Sequence, residues 1–191
     1  MTDDENKILK PYVSALGELV VEWNQMLESL GKLFGSILYP AEPIPPVAWA
    51  VWHSTNNDRA KIAMLRDAAR AKFGEIGKDS QNSQAWDDID WLCGRVTSIF
   101  DERNNSIHAP IAIRRDNLKN KVEVVASDFF GNPRARRLSG KELLSEYEWQ
   151  TANAKALKLL ARNMVVTILY GPKHRAWPVR PQLPNRGQKK L

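Results

Sequence analysis

Cysteine is nearly absent from this chain: Cys93 stands alone among 191 residues. One thiol excludes an internal disulfide and a thiolate-based metal cage, and it fits a reducing compartment. Long apolar runs are missing too. The opening MTDDENKILK is acidic and polar, unlike a secretory signal. The longest apolar stretch near the end, Met164 to Tyr170, is too short to span a bilayer. No glycine-rich phosphate loop occurs, and the few histidines show no metal-ligand spacing. These absences predict a cytoplasmic protein with no membrane segment, no metal site and no cofactor.

The net charge of +6 suggests a nucleic-acid ligand until it is located. Residues 171–191 carry Lys173, Arg175, Arg180, Arg186, Lys189 and Lys190 without an acid, which is the whole excess. The body is neutral overall. Within it, Arg114 to Lys141 holds eight basic residues against Asp116, Glu123 and Asp128. That local surplus, Arg114, Arg115, Arg134, Arg136 and Arg137 above all, is the predicted contact surface for an anionic ligand.

Hydrophobic spacing predicts four long helices. The first runs from Pro11 to about Leu38, with Tyr12, Leu16, Leu19, Trp23, Leu27, Leu30, Phe34 and Ile37 on one stripe. YPAEPIPP stops it. After the short apolar piece VAWAVWH, a second helix opens at Asn56 or Asn57 with Ile62, Leu65, Ala69, Phe73 and Ile76 inward. GKDSQNSQ predicts a loop, and a third helix follows from Ser83 with Trp86, Ile89, Cys93, Val96, Phe100 and Ile107 inward. IAIRR and KVEVVA predict a hairpin over 110–126, turning at Asp116–Asn120. SDFFGNPRARRLSG predicts a loop. Ser139 and Glu142 form a capping-box pattern for the last helix, which ends at Tyr170 before Gly171 and Pro172. The expectation is a mainly α protein: a four-helix bundle with an inserted β-hairpin as one domain over 1–170, then a flexible, basic, proline-rich arm over 171–191.

Chemistry concentrates where the third helix ends, in FDERNNSIHAP. Arg103, Asn104 and His108 bring a guanidinium, a carboxamide and an imidazole together, with Asn104 and His108 four apart on one helical face. A guanidinium grips phosphate in a planar fork, an imidazole moves a proton near neutral pH, and a carboxamide orients either. These parts suffice for metal-free RNA cleavage. A plainer alternative stands beside it: a histidine before Ala-Pro can bond the last helix carbonyls and favour the negative helix end.

The Arg103–His108 segment, Arg-Asn-Asn-Ser-Ile-His at the end of a core helix, resembles the Arg-x4–6-His motif of the HEPN superfamily. The resemblance implies a helical bundle that dimerises, so that two motifs face each other in one composite ribonuclease site. It implies metal-independent cleavage, often in toxins paired with an antitoxin protein or in defence against phage. By position, Arg103 is then the phosphate contact, His108 the acid–base group, and Asn104 the polar residue after the arginine. The alternative from another class is a non-catalytic dimer that serves as a protein-interaction module.

Other candidates point to structure. Trp49, Trp52 and His53 could stack a base, but aromatic spacing of three is commoner in a core. Asp87, Asp88 and Asp90 predict a solvated helix face, and Cys93 a small core residue. His174 falls in the arm and has no role assigned.

Overall fold

The computed structural model describes residues 2–74, 80–116, 121–128, 131–171 and 175–186. Helix dominates, with one small antiparallel sheet. In chain order the elements are α1 (Asp3–Leu38), α2 (Pro46–Ser54), α3 (Asp58–Ala69, continued by a π turn over Arg70–Gly74), α4 (Ser80–His108), β1 (Ile111–Asp116), β2 (Lys121–Ala126), α5 (Pro133–Leu138) and α6 (Leu143–Tyr170). Among the described residues no helix is long and apolar enough to cross a membrane.

Helix α1 begins eight residues before the Pro11 start expected from sequence. Thr2 and Glu5 close a capping box: the Thr2 N–H donates to Glu5 Oε2 at 3.0 Å and the Glu5 N–H to Thr2 Oγ1 at 3.3 Å. Asp3, Asp4 and Glu5 place negative charge against the positive end of the helix. Pro11 is therefore inside the helix. VAWAVWH also forms helix, α2, whose Pro46 sits at its start where no N–H is required.

Two more boundaries differ from expectation. Part of GKDSQNSQ, predicted as loop, belongs to α4 from Ser80. PRARRL, also predicted as loop, is the single-turn helix α5: the Asn132 side chain accepts from the Arg134 and Ala135 N–H groups, and Pro133 fits the first position. Ser139 ends α5 instead of opening α6. Gly140, at φ +74°, separates the two helices. Glu142 caps α6 itself, accepting from Leu144 N–H at 3.1 Å and Ser145 N–H at 2.6 Å.

The hairpin pairs Ile111 with Ala126, Ile113 with Val124, and Arg114 with Glu123. Alternation puts the apolar members on one face, where Ile111, Ile113, Val124 and Ala126 join an apolar cluster, while Arg114 bonds Glu123 across the strands. Of the turn expected over Asp116–Asn120, Asp116 ends β1 and pairs with Lys121, while residues 117–120, like the inward Ile76, lie outside the described residues.

Sequence predicts one domain over 1–170; the described residues divide into two compact units. The first takes those within 1–22, 99–153 and 184–191, and the second those within 23–98 and 154–183. In the first, Leu19, Ala109, Val124, Ala135, Leu138, Leu143 and Tyr147 form the buried cluster, with Ile8, Leu9, Tyr12 and Leu16 packed against it. In the second, the predicted stripes are buried at Trp23, Leu27, Leu30, Phe34 and Ile37 of α1, Ile62, Leu65 and Ala69 of α3, Ile89, Cys93 and Val96 of α4, and Leu157, Leu160 and Met164 of α6.

One close contact in the second unit carries a stability prediction. A Cβ at Gly31 of α1 would meet buried Trp52 of α2 at 2.7 Å from Nε1 and 2.9 Å from Cδ1. Gly31→Ala gains up to about 1 kcal/mol of helix propensity. Overpacking a rigid buried ring costs about 1–3 kcal/mol. A net loss is expected, read as a lower unfolding midpoint; an unchanged or higher midpoint would show that the ring yields freely.

Candidate functional site

The last turns of α4 orient the motif. Asn105, Ser106 and Ala109 are buried, and Gln150 Nε2 of α6 donates to Ser106 Oγ at 2.9 Å inside the first unit. With those positions held inward, Arg103 and Asn104 are half-buried and His108 is exposed. The Ala109 N–H reaches Asn105 C=O at 3.0 Å, so the helix stays intact through the motif. Asn105 is thus a packed residue and the turn is not frayed.

Arg103 Nη1 donates to Asn104 Oδ1 at 3.0 Å. The carboxamide therefore restrains the guanidinium. Among the described residues no hydrogen bond ties the His108 ring to the closing carbonyls, the contact a purely capping histidine would make. Burial first, then the charges of Arg134 and Arg103, lower its pKa below the usual histidine value. The shift favours the neutral ring, the form able to accept a proton.

The five arginines of the basic surplus separate in the structure. Arg114 pairs with Glu123, Arg115 lies 3.9 Å from Glu5, and Arg136 lies 3.2 Å from Asp128. Arg134 and Arg137, both exposed, have no carboxylate partner among the described residues. Of the five, it is Arg134 whose charge acts on His108.

Next to Arg103 lies a charge cluster that sequence spacing did not reveal. Glu102 is 3.3 Å from Lys141 and 2.7 Å from Arg186; Glu146 is 3.8 Å and 3.3 Å from the same two cations. Arg186 also stacks on Trp149 at 4.5 Å, and the Trp149 Nε1–H donates to Pro184 C=O at 2.8 Å. Residues 184–186, expected in a flexible arm, thus hold named contacts beside the motif. Farther up the arm, within the second unit, Trp177 Nε1 and Arg180 both donate to Asp88. Asp88 is buried, which corrects its expected place on a solvated face; Asp90 pairs with Arg66 at 2.8 Å.

The remaining candidates do not converge on the motif. Trp52 is core, Trp49 stacks on His53 at 5.8 Å, and His53 lies 3.7 Å from Glu28. Cys93 is buried, and desolvation pushes its thiol up to about 12, which removes it as a nucleophile. His174 lies outside the described residues. A cavity of about 610 Å³ in the second unit, among Ile37, Phe73, Ala85, Ile168 and Trp177, contains none of the motif residues. Among the described residues no group of three or more His, Cys, Asp or Glu is placed to hold a metal ion. Comparison with family models, with curated proteins and with solved structures found no match to this chain.

Proposed function

We propose that this protein is a metal-independent endoribonuclease of the HEPN kind, working as a two-fold dimer of four-helix bundles built from α1, α3, α4 and α6. The observation that carries it is the exposed His108 at the end of the same helix as an Asn104-restrained Arg103. His108 takes the proton from a ribose 2′-hydroxyl, whose oxygen attacks the neighbouring phosphorus. Arg103 stabilises the extra negative charge on the phosphorane oxygens. The P–O5′ bond then breaks, the 5′-oxygen leaves with a proton, and a 2′,3′-cyclic phosphate remains. One imidazole cannot be base and acid in the same step, so a proton donor on the other copy supplies that proton. Such an activity suits a toxin restrained by an antitoxin protein, or a defence against phage.

The test is incubation of the pure protein with RNA in excess chelator. Cleavage to cyclic-phosphate ends is expected, along with dimers in sedimentation. Because the His108 pKa is lowered, the base form persists to lower pH than in an unperturbed histidine. The rate limb set by the base therefore has its midpoint on the acid side of a free histidine. RNA that is bound but left intact would assign the chain to the non-catalytic interaction class; chelator-sensitive cleavage would remove the metal-free mechanism.

A further inference from the structure

The geometry points to a small-molecule site in the second unit: its cavity of about 610 Å³ takes an amphipathic anion, with the apolar body inside and the charge met by Lys72 at the rim. The inference goes beyond the ribonuclease reading and does not depend on it. Every lining residue belongs to the second unit, and the Arg103–His108 motif belongs to the first.

The volume falls within the range of about 300–1,000 Å³ that small-molecule sites occupy. Ile37 of α1 and Ala85 of α4 are buried at its floor, and Phe73, Ile168 and Trp177 are half-buried around it. Lys72, Gln84 and Pro40 are exposed and mark the opening. Two departures from regular helix shape the walls. Lys72 and Phe73 come from the π turn Arg70–Gly74 that continues α3, a conformation found frequently at functional sites. At the end of α6, Gly171 turns the backbone at φ +78°, and the Arg175 N–H reaches its C=O at 3.3 Å. Ala176 and Trp177 of the arm then line the cavity. Arg175 Nη2 donates to Asn163 Oδ1 at 3.0 Å and Trp177 Nε1 to Asp88 Oδ2 at 2.8 Å, so this wall is held in place.

The ligand class follows from where the polar groups lie. The two buried hydroxyls of the lining have committed their protons. Ser36 donates to Leu33 C=O at 2.9 Å, and Thr167 donates to Asn163 C=O at 3.2 Å and Ala176 C=O at 3.3 Å. They offer an entering group lone pairs only, which disfavours an anion at the floor. At the rim the sign is reversed. Lys72 is a cation with no carboxylate partner among the described residues. An apolar interior below an unmatched ammonium fits a molecule with a hydrocarbon body and one terminal negative charge.

The experiment titrates the full chain with octanoate, octanol and octylammonium, which share one tail and differ in charge. Calorimetry reads affinity and stoichiometry, and the Trp177 indole N–H signal, identified with Trp177→Phe, reports occupancy by NMR. One octanoate per chain should bind and move that signal, with octanol weaker and octylammonium weakest. Lys72→Glu should weaken octanoate about tenfold, because a screened attraction becomes a screened repulsion of similar size, and should leave octanol unchanged. Lys32→Glu, on an exposed cation outside the lining, should change neither. Ile168→Trp adds bulk to the wall and should abolish binding of both. Octanoate that fails to saturate, or that binds Lys72→Glu as tightly as wild type, overturns the site, as does a preference for octylammonium. So does an Ile168→Trp protein that binds octanoate undiminished. Should that variant fail to fold, the exposed Lys72→Glu decides alone.

Discussion

RNA cleavage by the His108→Ala protein is expected to fall by about a hundredfold or more, the loss usual when an acid–base group is removed. Its unfolding midpoint should hardly move. The ring is exposed and has no hydrogen bond among the described residues, so little native contact is lost. Removing an imidazole that folding keeps neutral should even relieve a small acid-side cost. With the pKa lowered in the fold, protonation below about pH 6.5 favours the unfolded chain, and stability falls as the pH drops through that window. Arg103→Ala should be comparably inactive. Arg103→Lys should not rescue it, because an ammonium cannot reproduce a forked phosphate contact or the bond from Nη1 to Asn104. Asn104→Ala should lose less, since it frees the guanidinium without deleting it. A helix-capping histidine gives the opposite pattern: wild-type protein that leaves RNA intact, and a His108→Ala variant that is measurably less stable. Paired assays of cleavage and thermal unfolding on the same preparations separate the two.

Periodicity made the helices legible because burial selects one face, and three- and four-residue steps from Leu19 to Ile37 or from Leu143 to Met164 leave few other ways to pack. The hairpin was legible for the same reason, its β-branched alternation matching a pleat with one face inward. Boundaries were less so. Pro11 is an apt helix start, yet the capping box at Thr2 and Glu5 provides a stronger one and the helix accommodates the proline. Ser139 and Glu142 matched the same pattern, but Gly140 between them takes a left-handed conformation that no continuous helix allows. At the site, Asn104 and His108 could be placed on one face from spacing alone. The five arginines of the basic surplus could not be told apart, because which of them find a carboxylate depends on Glu5, Glu123 and Asp128, two of them on other elements. The contacts of the arm were not legible for a related reason. Its proline content and lack of periodicity describe an extended chain, and an extended chain can still be fixed by side chains if a buried acceptor awaits them.

Asp88 is that acceptor, and removing its donors is expected to lower the stability of the second unit markedly. Its side chain is 7% exposed, accepts from Trp177 Nε1–H at 2.8 Å, and is paired with Arg180, which also stacks on Trp91 at 5.5 Å. A carboxylate this far from water needs its hydrogen bonds, and leaving one unmatched costs about 3–5 kcal/mol when burial is complete. Arg180 is 41% exposed, so water can partly replace it. Arg180→Ala alone should therefore cost nearer 2 kcal/mol, the range of one charged hydrogen bond. Trp177→Phe, which deletes only the indole donor, should cost about 1 kcal/mol. The double variant should lose about 3 kcal/mol, and adding Asp88→Ala should recover part of that loss by removing the stranded charge. Urea unfolding of the four proteins gives the comparison directly. If the double variant unfolds at the wild-type midpoint, or if Asp88→Ala lowers stability further in that background, the contacts of Trp177 and Arg180 do not hold the segment to α4.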